Sequence, residues 1–371
     1  MNHFFKYKFL KNGLVKRLCL TVCLGVILFG QQNAKAQEGF HRWLKGNPDS
    51  VYYEDLSEML TLKIYTSQKY ANFTIHDDVD RVSLHFKSNP TRVIGVGANY
   101  RWFGFNVGYG FSFANQGKEA FGETKHIDLQ AHLRLRKFAV NFFSNTYTGH
   151  YLENSWNLLE NWQTGTYLTR GDIKNSTYGV NINYIFNFNR YSNRATFIQT
   201  DWQKKSSGSF VAGGSLFYNG VRGDSALIPT NLIDSGFFRG YNYSRSGYYA
   251  LGANAGYAFT LVVFQHWFAN LSLNGGLAFG RTSIYTSENH ELSAYKINLN
   301  LVTGLGVGYN SKYLSIGFSY TGFQAMSPSP VDQTGIGFDT GRYRFSVAYR
   351  FKIGHESAVS QLFSRSKSNK T

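Results

Sequence analysis

The sequence predicts an all-β fold: a transmembrane, antiparallel, up-and-down β-barrel of about 12 strands. Three observations lead to this prediction. The chain begins with a pattern typical of an export signal, and no run of about 18 or more apolar residues is present to form a membrane helix. Many segments of about ten residues alternate between apolar and polar side chains, as barrel strands do.

The N-terminal region has the three parts of a secretory signal peptide. Five basic residues in the first 17 positions precede an apolar run from Leu18 to Gly30, which is too short to span a membrane of about 30 Å as a helix. The small residues Ala34 and Ala36 then form a cleavage pattern. We therefore expect export by the Sec pathway, a signal peptide over residues 1–36 and cleavage between Ala36 and Gln37.

Both cysteines, Cys19 and Cys23, lie inside this signal. The mature chain is then free of cysteine, which excludes disulfides, thiolate nucleophiles and cysteine-ligated metals. We also find no histidine cluster with convincing metal-ligand spacing, and the sequence predicts no cofactor.

Strict period-two alternation is the main evidence for strands. In the segment 103–113, for example, Phe105 and Val107 alternate with Gly104 and Asn106. The clearest predicted strands are 103–113, 124–136, 178–188, 268–280, 297–309 and 341–351. Less regular patterns predict strands at 92–101, 137–147, 195–203, 209–222, 248–261 and 312–323.

The predicted barrel covers residues 60–352, between a short periplasmic segment at 37–59 and a basic, polar tail at 353–371. Its last strand, which ends at Phe351, resembles the terminal strand that the barrel assembly machinery reads. Long and short connections do not alternate properly with this assignment. Either one strand near 189–222 is misassigned, or 149–175 hides one. An added strand at 60–66 or 82–87 would keep the total number even.

Three short motifs carry a resemblance to a known family. They are Asn187-Phe-Asn-Arg-Tyr-Ser-Asn-Arg-Ala195-Thr-Phe-Ile-Gln199, then Gln203-Lys-Lys-Ser-Ser-Gly208-Ser-Phe, and Gly223-Asp-Ser-Ala-Leu-Ile-Pro229. The chain is similar, over roughly residues 60 to 352, to an uncharacterised exported family known only as domain of unknown function four-four-two-one. The resemblance implies an outer-membrane barrel and no established activity.

Charge suggests a first function. The formal net charge is +16, of which six positive charges lie in the signal region, so the mature chain remains basic. Several charged residues fall on the lumen-facing register, where charge tunes the selectivity of a pore. One hypothesis is a narrow pore for small anionic solutes; the alternative is that these side chains fill the lumen and pair with acids. The predicted pore-lining residues are Asp128, His132, Arg134, Arg136, Lys296, Arg342, Arg344 and Arg350.

An enzyme that modifies lipids is a second hypothesis. His126 and Asp128 share one strand face, and Ser112 on the preceding strand would complete an acid, base and nucleophile set. Polar lumen residues that satisfy one another explain the same pattern more simply, and no Gly-x-Ser-x-Gly elbow occurs.

A surface-binding barrel is the third hypothesis, because the segments 149–175 and 223–246 are rich in aromatic residues. The alternative is that they fold into the barrel mouth. The expected partners are outer-membrane lipid and lipopolysaccharide, the barrel assembly machinery and a small anionic solute. Nucleic acid is not expected, since no basic stretch is interleaved with stacking aromatics.

Overall fold

The computed structural model describes residues 47–100, 103–110, 117–159, 163, 165–286 and 290–352. The expected signal peptide with Ala36 and Gln37, the expected tail at 353–371 and Ser112 lie outside these ranges. Within the described ranges, the helices are too short or too polar to cross a membrane.

The described chain is almost entirely β-strand. Alternation continues for up to 21 residues in one strand, and this length is typical of tilted barrel strands that extend beyond the membrane. The strands are β1 (Tyr53–Asp55), β2 (Leu60–Asp77), β3 (Val82–Lys87), β4 (Val93–Tyr100), β5 (Phe103–Gly110), β6 (Lys125–Arg134), β7 (Phe138–Leu152), β8 (Leu168–Ile185), β9 (Asp201–Gln203), β10 (Ser207–Arg222), β11 (Tyr243–Val263), β12 (Trp267–Thr286), β13 (Glu291–Asn310), β14 (Leu314–Pro328) and β15 (Thr334–Phe351). Short helices are α1 (Lys118–Phe121), α2 (Ser155–Leu158), α3 (Asn193–Phe197), α4 (Thr230–Asp234) and a 3-10 turn at Phe237–Gly240.

Antiparallel pairing closes these strands into a barrel. The ring runs β2, β3, β7, β8, β10, β11, β12, β13, β14 and β15, and β15 pairs back onto β2 from Thr334↔Asp77 to Phe351↔Leu60. Three further strands are attached to this ring: β4 pairs with β2, β5 with β4, and β6 with β7. The short strands β1 and β9 form a separate two-stranded sheet.

The expected count of about 12 strands is not confirmed, because ten strands close the ring. The long strand β2 explains the difference. It pairs with β3 near one end and with β4 near the other, so that β4 and β5 branch from the ring instead of extending it. Strands at 60–66 and 82–87 are expected from the sequence only as additions, whereas β2 and β3, which contain these residues, both belong to the ring.

Apolar side chains cover the outside of the barrel and polar side chains point inward. On β13, for example, Ile297 and Leu299 are exposed, whereas Asn298 and Asn300 between them are buried. Exposed Tyr, Phe, Leu, Val and Ile side chains continue this apolar surface around β4, β5, β8, β10, β11, β12, β14 and β15. A closed antiparallel barrel with an apolar exterior satisfies its backbone hydrogen bonds internally, as a membrane requires. The fold is an outer-membrane-type β-barrel.

The two ends of the barrel differ in their connections. At the turn end, strands are joined by short turns at 135–137, 264–266 and 311–313. At the loop end lie longer connections, including 153–167 and 223–242. Apart from residues 186–206, which join β8 to β10 at the turn end, the long connections lie at the loop end. The parity conflict found in the sequence disappears because 195–203 is not a strand of the barrel wall.

The strand predicted at 195–203 is wrong. This segment forms α3 and then the three-residue strand β9. Ser192 caps α3 by accepting a hydrogen bond from the Ala195 N–H at 3.3 Å. The segment enters the barrel from the turn end, where Thr196 and Phe197 lie against Gly306 and Gly304 of β13. Side chains on these inward positions would collide with α3, so the glycines make room for it.

Candidate functional site

A chamber of about 150 Å³, lined by both polar and apolar side chains, occupies the middle of the barrel. Residues of β2, β7, β8, β10, β12, β13, β14 and β15 line it. Asn193 and Phe197 from the segment around α3 contribute to its wall on the turn-end side. Phe143 and Phe323, whose ring centroids are 5.9 Å apart, contribute on the loop-end side. The chamber thus lies between two filled regions of the barrel.

Asparagine side chains dominate one wall of the chamber and form a continuous chain of hydrogen bonds. Asn254 Nδ2 donates to Asn183 Oδ1 at 2.7 Å, and Asn183 Nδ2 donates to Asn181 Oδ1 at 2.6 Å. Asn141 Nδ2 donates to the same Asn181 oxygen at 3.3 Å. Amides both donate and accept, so this wall can hydrogen-bond a polar solute without carrying charge. The described residues that line the chamber include no carboxylate.

The opposite wall is basic. Arg342 of β15 lines the chamber directly. Arg344, the next inward residue of β15, places its guanidinium carbon 4.4 Å from the centre of the Tyr65 ring. Its Nε is buried and has no hydrogen-bond partner. Lys63 of β2 is only 4% exposed, and neither it nor Arg344 has an ion-pair partner among the described residues. A buried cation without an anion is costly, which makes this wall suited to an anionic ligand.

Residues 47–59 and 186–206 together fill the turn end, and we call them the plug. β1 and β9 pair from Tyr53↔Gln203 to Asp55↔Asp201, which joins the two segments. Arg194 is at the centre of the plug: its Nη2 lies 3.1 Å from Asp55 Oδ1 and 2.9 Å from Asp201 Oδ1. Arg136, from the turn between β6 and β7, also forms an ion pair with Asp55.

Arg350 ties the plug to the barrel wall. It is completely buried, and its Nε and Nη2 donate to the Gln199 carbonyl at 2.9 and 2.7 Å. Its Nη2 also donates to Asn310 Oδ1 at 3.0 Å, and Nη1 donates to the Ser311 carbonyl at 2.5 Å. Gln199 in turn donates to Ser346 Oγ at 2.9 Å. The plug is therefore held by directional bonds to β13, β15 and the turn at 311–313.

The two carboxyl groups that pair with Arg194 have opposite pKa shifts. Burial raises the pKa of Asp201 to about 6, although Arg194 opposes the shift. Burial would also raise the pKa of Asp55, but Arg194, the bonds from Ser57 and Arg136 together lower it to about 2. The two acids hold the pKa of Arg194 above its usual value despite its burial.

An apolar cluster closes the loop end. Phe237 and Phe238 from the loop 223–242 are buried with Phe73, Ile75 and Ile336 of the barrel wall. Phe238 and Arg239 have left-handed backbone conformations, with φ of 57° and 56°. Asp77, at the end of β2, fixes this conformation by accepting a hydrogen bond from the Phe238 N–H at 2.9 Å. Within the described residues, this loop folds into the barrel mouth.

The predicted pore-lining residues lie at different heights. Arg342 and Arg344 are in or beside the chamber, whereas Arg136 and Arg350 hold the plug. Lys296 lies near the loop end, where its Nζ donates to the Ser329 carbonyl at 2.9 Å. The side chains of Asp128, His132 and Arg134 lie outside the described part of the structure.

The candidate catalytic set is only partly described. His126 is stacked on Tyr147 with ring centroids 5.2 Å apart, while Ser112 and the Asp128 side chain lie outside the described residues. His150 is buried, with both ring nitrogens facing carbonyl oxygens at 3.1 and 3.2 Å. The described residues contain no group of three or more His, Cys, Asp or Glu side chains that could hold a metal.

The plug residues Asp55, Arg194 and Asp201 are not among those predicted from the sequence. One signal was available: Gly304 and Gly306 alternate on the lumen face of β13, where no turn requires glycine. Their role becomes evident only when α3 is placed against them.

Comparisons with solved structures return outer-membrane barrels at very low identity. The outer membrane protease OmpT from Escherichia coli is 8% identical, with a TM-score of 0.37, covering 80% of this chain and 97% of that chain. The translocator domain of the autotransporter NalP from Neisseria meningitidis is 8% identical, with a TM-score of 0.30, covering 89% of this chain and 97% of that one. Ail, the attachment invasion locus protein of Yersinia pestis, is 10% identical, with a TM-score of 0.21, covering 78% and 99%.

No curated protein matches the chain. A family model does match, over residues 47–351, so that it includes both parts of the plug and every strand of the barrel. This match agrees with the resemblance carried by the motifs between Asn187 and Pro229. The chain therefore belongs to the family described as Domain of unknown function (DUF4421).

Proposed function

We propose that this protein is a gated outer-membrane passage for small anionic solutes, closed at rest by the plug. The observation that supports the proposal is the chamber with Arg342 in its wall and Arg344 beside it, directly above a plug held by hydrogen bonds and ion pairs. A permanently filled barrel would gain more stability from an apolar core than from Lys63 and Arg344, which lie inside the barrel without an ion-pair partner among the described residues.

The selectivity follows from the charges in and beside the chamber wall. Arg342 lines the chamber, and Arg344 and Lys63 lie next to it, so that all three attract anions. The asparagine wall can replace part of the hydration shell of a small oxyanion. No carboxylate among the described lining residues opposes them. We infer that small anionic solutes enter this chamber when the plug moves.

The plug is suited to act as the gate because its main attachments are polar. Arg350 and Gln199 connect it to the wall by hydrogen bonds that water can replace when the plug leaves. The region at the loop end is different: it is closed by packed aromatic residues of the barrel wall and the loop 223–242. Solute passage then requires movement of this loop as well as the plug.

Single-channel recording in a planar bilayer tests the proposal. The wild-type protein should be mostly closed, whereas Arg350→Met removes four hydrogen bonds from the plug and its neighbours and should produce frequent open steps. Arg92→Met is the matched control, because Arg92 is exposed and far from the plug in sequence. A folded Arg350→Met protein that stays as silent as wild type contradicts the gate.

Selectivity is then measured in the Arg350→Met background. Adding Lys63→Gln and Arg344→Gln should lower the chloride-to-potassium permeability ratio by about twofold or more, because lumen charges set selectivity. Arg281→Gln, on the outer face, should leave the ratio unchanged. Open channels with no preference for anions would disprove the anionic-solute part of the proposal while leaving the gate in place.

A further inference from the structure

Four cations form a row on the outer face of the barrel near the loop end. They are Lys125 of β6, Lys174 of β8, Arg222 of β10 and Arg245 of β11, and we call them the basic row. Arg222 pairs directly with Lys174 on one side and with Arg245 on the other. Lys125 and Lys174 both pair with Thr148 of β7, which lies between them. The row therefore crosses five neighbouring strands at one level.

Three tyrosines form a parallel row four residues nearer the turn end. Tyr218 pairs with Tyr178 and with Tyr249, and we call these three the tyrosine row. The rings of Tyr178 and Tyr218 are stacked with centroids 6.0 Å apart, and those of Tyr218 and Tyr249 are 4.4 Å apart. Since side chains alternate along a strand, both rows face outward with the apolar surface of the barrel.

The tyrosine row marks a membrane boundary. On β11, exposed apolar residues extend from Tyr249 to Val263 near the turn end. Fourteen residue steps of about 3.3 Å, tilted by about 45°, span about 33 Å, close to the hydrocarbon thickness of about 30 Å. Tyrosine is typical of this interface. The basic row, four residues beyond the tyrosine row on each strand, is then at the level of the lipid headgroups.

Small residues separate the two rows. Ser176, Gly220 and Gly247 occupy the outward positions between them, at paired positions of β8, β10 and β11. The Tyr218 side chain extends over Gly220, where a Cβ would collide with its hydroxyl. The surface therefore forms a shallow shelf, with aromatic rings on the membrane side and cations on the other.

The basic row lacks protein anions. None of its four members has an ion-pair partner among the described residues; Arg245 only stacks over Tyr285, at 5.2 Å. Of the carboxylates two residues from a member of the row, Glu123 pairs with Lys118 at 3.4 Å and Asp172 with Arg170 at 2.8 Å. Asp224, which follows the end of β10, is exposed and forms no ion pair with the row. Like charges directly opposite one another on paired strands are destabilising. An external anion would remove this repulsion.

We propose that the basic row binds the phosphate groups of lipid A, the anchor of lipopolysaccharide. In outer-membrane barrels the long loops face the outside, which places this row in the outer leaflet, where lipopolysaccharide is located. Lysine and arginine side chains bind phosphate by charge-assisted hydrogen bonds. The shelf accommodates the sugar, and the acyl chains pack on the apolar surface below the tyrosine row. This site is independent of the chamber and of the plug.

Binding of purified lipid A to the detergent-solubilised, folded protein tests the site by native mass spectrometry. The probes are phosphorylated lipid A, the same lipid with its phosphates removed, and phosphatidylglycerol. The test variant changes Lys125, Lys174, Arg222 and Arg245 to glutamine. The control variant makes the same change in charge at the turn end by changing Lys204, Lys205, Lys312 and Lys352 to glutamine.

Wild-type protein and the control variant should prefer phosphorylated over dephosphorylated lipid A, and the test variant should lose at least about tenfold in affinity for the phosphorylated form, since each interfacial cation contributes to anionic-lipid binding. Equal binding by the test and control variants would overturn the proposal. So would a test variant that loses phosphatidylglycerol but keeps lipid A, because the row would then bind a phospholipid. All four side chains of the basic row point away from the core, so their replacement should not prevent folding. Folding of each variant is checked by comparing the electrophoretic mobility of the heated and the unheated protein.

Discussion

Arg194 and Asp201 form an ion pair inside the barrel, with Arg194 Nη2 2.9 Å from Asp201 Oδ1 and Asp201 completely buried. Asp55 shares the same guanidinium at 3.1 Å. Two carboxylates share one arginine at the junction of β1, α3 and β9, and this arrangement joins the two segments of the plug.

Arg194→Met should weaken the plug strongly. The substitution leaves two carboxylates buried near each other, and removing one partner of a buried pair costs about 3–5 kcal/mol. Arg190→Met is the control, because Arg190 is exposed and its ion pair with Asp49 is long, at 3.8 Å; exposed ion pairs contribute little to stability. Protease cleavage within 186–206 measures plug release. Equal cleavage rates in the two variants would show that Arg194 does not hold the plug.

Plug release should become easier as the pH rises from about 4 to about 7. The pKa of Asp201 is about 6 in the plug and should return to about 3.9 when the plug leaves and water reaches the carboxyl group. Between these two pKa values the closed form binds more protons than the open form. Protonation of Asp201 therefore stabilises the closed plug fully below about pH 4. This stabilisation, up to about 3 kcal/mol, is lost as the pH rises through about 6. Asp55, with a pKa of about 2, titrates below this window.

Open probability recorded between about pH 4.5 and 7 measures this effect. Asp201→Asn keeps an oxygen acceptor for Ser192, which bonds to Asp201 Oδ2 at 2.6 Å, and removes the titration. The variant should therefore show a flat pH profile. A slope as steep as that of wild type would assign the pH dependence to another group.

Gly306→Ala should open the barrel without touching any charge. A Cβ at this position would overlap Thr196 Cγ2 of α3, so the plug must shift, at a cost of about 1–3 kcal/mol for overpacking. Gly275→Ala is the matched control, because no atom lies within 4 Å of a Cβ there. Conductance measures the effect. The prediction fails if both variants are as closed as wild type.

Asp77→Ala should release the loop 223–242. The carboxylate accepts hydrogen bonds from the Phe238 N–H and the Val79 N–H, both at 2.9 Å, and a buried donor without its acceptor costs about 1–3 kcal/mol. Trypsin should then cleave after Arg239 faster than in wild type. Asp234→Ala, in the same loop but exposed, should not change the rate. Resistance of Asp77→Ala to trypsin would contradict this role.

Alternation predicted the barrel because it depends only on which residues face the lipid. It predicted that Phe105, Ile127, Ile297 and Phe345 share an apolar face, and all four are exposed on the outside. It could not distinguish a wall strand from the segment 195–203, whose Phe197 packs against the lumen instead of lipid. It also underestimated β2, because Lys63 and Lys69 interrupt the usual pattern of small, uncharged inward residues.

The candidate site was harder to predict for a physical reason. The two-residue alternation assigned Arg342, Arg344 and Arg350 to the lumen. It carries no information on where a side chain lies along the barrel axis, or on which residues distant in sequence it contacts. Arg350 bonds to Gln199, 151 residues earlier, and only the folded chain brings them together. The basic row could not be predicted either. Each of its cations lies near the end of a strand, where a charged residue is common, and only the strand register shows that the four lie at one level.

The contact between Arg350 and Gln199 has a consequence for the order of assembly. Gln199 precedes six barrel strands, yet its carbonyl and amide are bonded only when the last strand, β15, is in place. Contacts between such distant segments form slowly, since the intervening chain must first be ordered. The plug should therefore become fixed at the end of folding, when β15 pairs with β2, so that completion of the cylinder and sealing of its interior are one event.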